Sequence, residues 1–98
     1  MKPLLLVVAA KGFQPIEYRV PFDFLTQKGY VVQTASNTAD EAVASDGETV
    51  AHVDVTLERV HAENYAGIFF IGGPGALIHL EQEESNRILN EAVIAQIP

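Results

Sequence analysis

Two clusters carry most of the chemistry open to this chain. The first is Gly72-Gly73-Pro74-Gly75-Ala76, which follows the apolar run Ile68-Phe69-Phe70-Ile71. Successive glycines can turn their N–H groups toward one point and form a nest for an anion or a developing oxyanion. Gly73 and Gly75 would also let a ligand approach the backbone closely. No Lys-Ser/Thr pair follows, so this is not a P-loop, and the third glycine of a dinucleotide fingerprint is missing. A tight strand-to-helix turn with no ligand would use the same residues.

The second cluster is Gln14-Pro15-Ile16-Glu17. With Pro15 at the first helical position and Gln14 as the cap, Glu17 falls third, near the positive end of the helix dipole. Pro21 lies four residues on and cannot donate to the Glu17 carbonyl, so the helix should kink or open there. A carboxyl at this place could act as acid, base or hydrogen-bond donor if burial raises its pKa. It could equally be an ordinary capping glutamate. His52, His61 and His79 lack the regular spacing of a metal site, and no metal is expected.

The elements that must position these residues read as an α/β pattern. Residues 3–10 are continuously apolar, the mark of a strand buried on both faces of a parallel sheet. Lys11 and Gly12 break it. A helix follows, with Ile16, Val20 and Phe24 at spacing four and Leu25 beside them, closed by Lys28-Gly29. Residues 30–35 form a second strand and complete a βαβ unit. Residues 42–44 and 49–53 flank Ser45-Asp46-Gly47-Glu48, a hairpin signal. Residues 54–59 suggest a helical turn, residues 67–71 another buried strand, and residues 83–97 a final helix. Phe13, Phe22, Phe24, Phe69 and Phe70 are core candidates. The first helix and the glycine cluster both lie at the carboxyl ends of strands, where ligands of open α/β sheets bind.

Composition narrows the possible classes. The 98 residues are 48% hydrophobic and 19% charged, which excludes a disordered tail and fits one modest domain. There is no cysteine, hence no disulfide framework and no thiol nucleophile in this chain. The net charge is −7, and residues 40–98 hold eleven acidic side chains against two basic ones. Such a field repels phosphate backbones and anionic headgroups, so neither nucleic acid nor a membrane surface is an expected partner. No targeting segment is convincing, and a cytoplasmic setting is expected. The pattern stops at Ile97-Pro98, where another strand should begin. A single partial α/β domain over residues 1–98, half of a larger fold, is the expectation.

The ordered set is Gly12-Phe13-Gln14-Pro15-Ile16-Glu17, Pro21, Lys28-Gly29-Tyr30-Val31-Val32, Ala44-Ser45-Asp46-Gly47, Val53-Asp54 and Tyr65 through Ala76. It resembles the N-terminal half of the ThiJ/PfpI superfamily, relatives of the class I glutamine amidotransferases. The resemblance implies a flavodoxin-like three-layer sandwich with a mostly parallel sheet, usually dimeric, with a reactive cysteine on a nucleophile elbow. It implies that Glu17 matches a glutamate that hydrogen-bonds this cysteine and is typically protonated. It also implies that Gly72 and Gly73 supply oxyanion-site N–H groups. Small carbonyl, amide or peptide substrates would follow, with no cofactor. The partner would be a second copy or a complementing C-terminal fragment. The family includes peptidases, amidases, glyoxalase or deglycase enzymes, and also stress-response chaperones and redox sensors that do not depend on turnover. Lacking the elbow cysteine, residues 1–98 alone are expected to be inactive.

Overall fold

The computed structural model describes residues 2–72. Its first strand, β1 (Leu4–Val7), is shorter than the apolar run that announces it, because the ladder ends where Ala9 and Ala10 begin the turn. Leu5 and Val7 enter one core cluster, and Leu6 and Val8 enter the other. All four are fully buried, as a strand covered on both faces requires.

Four parallel strands form the main sheet. β3 (Val32–Ser36) pairs with β1 on one side, and β7 (Gly67–Phe70) pairs with it on the other. The short β6 (Val55–Thr56) lies beyond β3, giving the order β6-β3-β1-β7. The helix α1 (Pro15–Gln27) connects β1 to β3 and so completes the expected βαβ unit. Gly29, at φ +89°, terminates it, and its N–H donates to the Thr26 carbonyl.

A second, three-stranded sheet has the order β2 (Lys11–Phe13), β4 (Glu41–Ala44), β5 (Val50–His52). The expected hairpin is present: β4 (Glu41–Ala44) and β5 (Val50–His52) pair antiparallel around a turn holding Gly47 at φ +73°. Asp46 secures that turn by accepting from the Glu48 and Thr49 N–H groups and the Thr49 hydroxyl. These bonds hold the Asp46 carboxyl below the usual carboxylate range.

Several expectations need correction. Lys11 and Gly12 do not simply end the first strand. With Phe13 they form β2 (Lys11–Phe13), which pairs with β4 on both sides of a register shift at Gly12, whose φ is +82°. In residues 54–59 the helical part begins only at Leu57, because Val55 and Thr56 are drawn into the ladder beside Ala35 and Ser36. The second strand starts two residues late, leaving Tyr30 and Val31 exposed.

The largest correction concerns α1. Ile16, Val20 and Phe24 are 66%, 61% and 57% exposed, so the apolar stripe does not face the core. The helix packs instead through Tyr18 and Phe22, against Phe13 and the inner side chains of the hairpin. Phe69 and Phe70 are likewise partly exposed, as β7 lies at the edge of the described sheet. Of the five phenylalanines offered as core, Phe13 is fully buried and Phe22 packs against the core. The predicted helix over residues 83–97 lies outside the described residues.

Two polar contacts bind the layers together. The Tyr18 hydroxyl and Thr34 Oγ1 meet at 2.8 Å, in a buried hydrogen bond between helix and sheet. Asp54 accepts from the Thr34 N–H through Oδ2 at 2.8 Å, and its own N–H donates to the Thr34 carbonyl. Burial raises the Tyr18 pKa, with Asp54 and Asp23 adding to the effect and the Thr34 bond opposing it.

Two outcomes follow from this packing. Tyr18→Phe should cost about 1–3 kcal/mol, because it leaves the Thr34 hydroxyl buried without a partner. The Tyr18→Phe/Thr34→Val pair should recover much of that loss in denaturant titration. Asp46 has a depressed folded pKa, so its stabilisation is present above the unfolded carboxylate value and is lost as pH falls through the folded one. An acid titration followed by NMR should show the Glu48 and Thr49 amides leaving their native shifts at the low end of that window. Asp46→Ala should remove the transition.

Candidate functional site

The site begins where β1 ends. Val8 continues the sheet by donating to the Ala35 carbonyl, and Ile71 extends β7 by donating to the Val7 carbonyl. Both chains then leave the sheet at its carboxyl edge. The connection from β1 leads through α1 to β3 on one side, while β7 lies on the other. The gap between β1 and β7 is therefore the point where strand order reverses, the usual place for a ligand in an open parallel sheet.

Gln14 caps α1 in the extended conformation, with φ −77° and ψ 117°. Its side-chain oxygen accepts from the Glu17 N–H at 2.8 Å, and Pro15 fills the first helical position. The expected placement of Glu17 as third residue of the helix is thus observed. The helix runs on through Pro21, which has no N–H to offer the Glu17 carbonyl.

The backbone N–H of Gln14 also donates to the carbonyl of Gly72, at 2.7 Å. That bond crosses from the start of α1 to the exit of β7. As a result, a Cβ placed on Gly72 would stand 3.4 Å from Glu17 Oε1 and 3.9 Å from Oε2. The two candidates, fifty-five positions apart in the chain, are brought side by side. Gly73 lies outside the described residues, as do Gly75 and His79.

Glu17 opens into a groove of about 460 Å³ whose walls include Ile16, Val20, Pro21, Phe69 and Phe70. The carboxylate is exposed, so among the described residues nothing buries it. The cavity is apolar except for this one carboxyl. Such a surface lowers the local dielectric around any reacting group held against it.

The remaining titratable residues lie elsewhere. His52 sits on β5, its side chain 80% exposed, with Nε2 3.9 Å from Asp54 Oδ1. Tyr65 donates to Gln33 Oε1, and burial, with a lesser contribution from Asp54, raises its pKa. Among the described residues no group of three His, Asp or Glu side chains could hold a metal ion. The bond from Gln14 to Gly72 had no signal in the sequence. Only the fold brings these backbone groups together.

Comparison with known proteins now fixes the lineage. The family model for the DJ-1/PfpI family matches residues 3–94. The chain belongs to the DJ-1/PfpI family. An uncharacterised protein of Archaeoglobus fulgidus is 33% identical over 69 residues, covering 70% of this chain and 40% of that protein. Among solved structures, a ThiJ/PfpI domain protein from Brachyspira murdochii superposes with a TM-score of 0.90 at 20% identity. That match covers 99% of this chain and 57% of the other. Oxidised DJ-1 from Toxoplasma gondii gives 0.83 at 24% identity, covering 99% and 53%. These structures establish the flavodoxin-like α/β fold of the DJ-1/PfpI family. The chain spans 40% of the archaeal relative and little more than half of these two structures.

Gly72 lacks a positive φ, and the Glu17 carboxylate beside it is the free end of a flexible side chain. Gly72→Ala should therefore fold, with a stability change within about 1 kcal/mol, the scale of an exchange at a glycine whose backbone suits alanine. The added methyl should come into van der Waals contact with the Glu17 carboxylate, read as a shift of its side-chain NMR signals. A variant that fails to melt cooperatively would show that Gly72 is needed for more than this contact.

Proposed function

We propose that this chain supplies the acid and the oxyanion-binding part of an active site built around a cysteine nucleophile. The observation that carries the reading is the placement of the Glu17 carboxyl beside Gly72 at the strand-order reversal between β1 and β7. A hydrolase or lyase acting on a small carbonyl, amide or peptide substrate needs two functions at one point. One is a group that tunes the thiol; the other is N–H groups that hold the oxygen of the tetrahedral intermediate. Glu17 takes the first role, and the backbone at Gly72 and Gly73 takes the second. No cofactor enters this scheme.

The cysteine must come from another polypeptide segment, since this chain contains none. In this reading residues 1–98 are one part of a domain, and its partner is a complementing C-terminal segment, with a second copy of the whole as the oligomeric unit. The setting is cytoplasmic. Among the described residues no helix is long and apolar enough to cross a membrane. Neither nucleic acid nor a lipid surface is a partner, in keeping with the net charge of −7.

A second reading rests on the exposed side chains of Ile16, Val20 and Phe24. A non-catalytic stress-response module, chaperone-like or redox-sensing, would use such an apolar surface without turnover.

The test compares the completed protein, its Glu17→Ala variant and residues 1–98 alone on a panel of α-oxoaldehydes, amides and short peptides. The hydrolase reading expects turnover by the completed protein and a loss of about 100-fold or more in kcat/KM for Glu17→Ala, the usual contribution of a positioned acid or base. Residues 1–98 alone should be inactive. Turnover by this chain alone, or a Glu17→Ala variant as fast as the parent, would overturn it. Suppression of client aggregation by a protein without turnover would favour the second reading.

A further inference from the structure

Gln14 is bonded to both halves of the candidate site. Its side-chain oxygen takes the Glu17 N–H at 2.8 Å. Its backbone N–H donates to the Gly72 carbonyl at 2.7 Å. No side chain of Glu17 or Gly72 is used in either bond, so both partners are held through their backbones and the carboxylate is left free. The residue before it, Phe13, is fully buried, and the residue after it is Pro15. Gln14 therefore has little freedom of its own.

We infer that Gln14 is a positioning residue, which sets the separation between the Glu17 carboxyl and the Gly72 backbone. The inference rests on the reading of these two groups as one site, and it adds the part that holds them in register. Two features mark it as more than a helix cap. Asn, Asp, Ser and Thr are the residues preferred at this position, and glutamine is not among them. A cap also needs only the side-chain bond, whereas here a second bond, from the main chain, reaches across to another strand.

The two bonds can be removed separately. Gln14→Ala deletes the side-chain acceptor and keeps the N–H. Gln14→Glu keeps an acceptor oxygen on an arm of the same length. Gln14→Pro deletes the N–H as well as the acceptor. Its fixed φ near −65° suits the observed φ of −77°, and the observed ψ of 117° already satisfies the constraint that Pro15 places on its predecessor. The proline ring also places Cδ where the N–H now points, so this variant loses the donor and pushes the Gly72 carbonyl away.

The measurement is NMR on the protein and these three variants. It records hydrogen exchange at the Glu17 amide and the Gly72 Hα to Glu17 Hγ cross-peak, with thermal melts alongside. Gln14→Ala should speed exchange at Glu17 about fivefold, the equivalent of one lost cap bond, and weaken the cross-peak. Gln14→Glu should restore both. Gln14→Pro should abolish the cross-peak. If Gln14→Ala and Gln14→Pro lower the melting temperature but leave the cross-peak at parental strength, Gln14 is a cap alone and the inference fails. Should the proline variant not fold, the cross-peak in the alanine variant decides the matter by itself. No readout uses a thiol or turnover. An inactive completed protein with these responses would therefore sink the hydrolase reading and leave this inference standing.

Discussion

The hydrogen bond from the Gln14 N–H to the Gly72 carbonyl joins two segments that the sequence keeps far apart. One is the turn that leads out of β1 into α1; the other is the chain leaving β7. Parallel strands place their carboxyl ends together, but nothing in a ladder dictates how the following loops meet. This bond does. With it, the helix N-terminus and its Glu17 are fixed against the end of β7. Without it, the groove between them would have no defined width.

That bond in turn depends on β1 being buried on both faces. Leu5 and Val7 pack toward Leu57, Val60 and Tyr65, while Leu6 and Val8 pack toward Phe13, Tyr18 and the hairpin. The rotation of α1 is set from the same side, by Tyr18 meeting Thr34 within the core. Asp54 then fastens the other flank of β3 through both bonds to Thr34. Burying Tyr18 inward leaves Glu17, one residue earlier, on the rim that faces Gly72. Packing and chemistry are thus coupled along a single helical turn.

The legible parts of the sequence were those with local causes. Continuous apolar residues marked β1, Asp46-Gly47 marked the hairpin, and Gln14-Pro15 followed by Glu17 marked the start of α1 and the place of its carboxyl. Two kinds of feature were not legible. Short strands such as β2 and β6 owe their existence to a neighbouring ladder and carry no periodicity of their own. The apolar stripe Ile16-Val20-Phe24 obeys the spacing rule for a buried face, yet Tyr18 and Phe22 occupy the core instead. Spacing shows that a stripe exists but not which surface covers it. The proximity of Glu17 and Gly72 was legible only as a shared sheet edge. The contact itself required the fold.

The proposed role of Glu17 is to tune a thiol held against the Gly72 turn. A thiolate absorbance titration of the proposed elbow cysteine in the completed protein, with and without Glu17→Ala, tests that role. With Glu17 protonated and donating to the thiolate, the midpoint should lie well below that of a free cysteine, about 8.5, and should rise clearly when Glu17 is removed. The same midpoint in both proteins would mean that the carboxyl and the thiol do not meet, and would contradict the account.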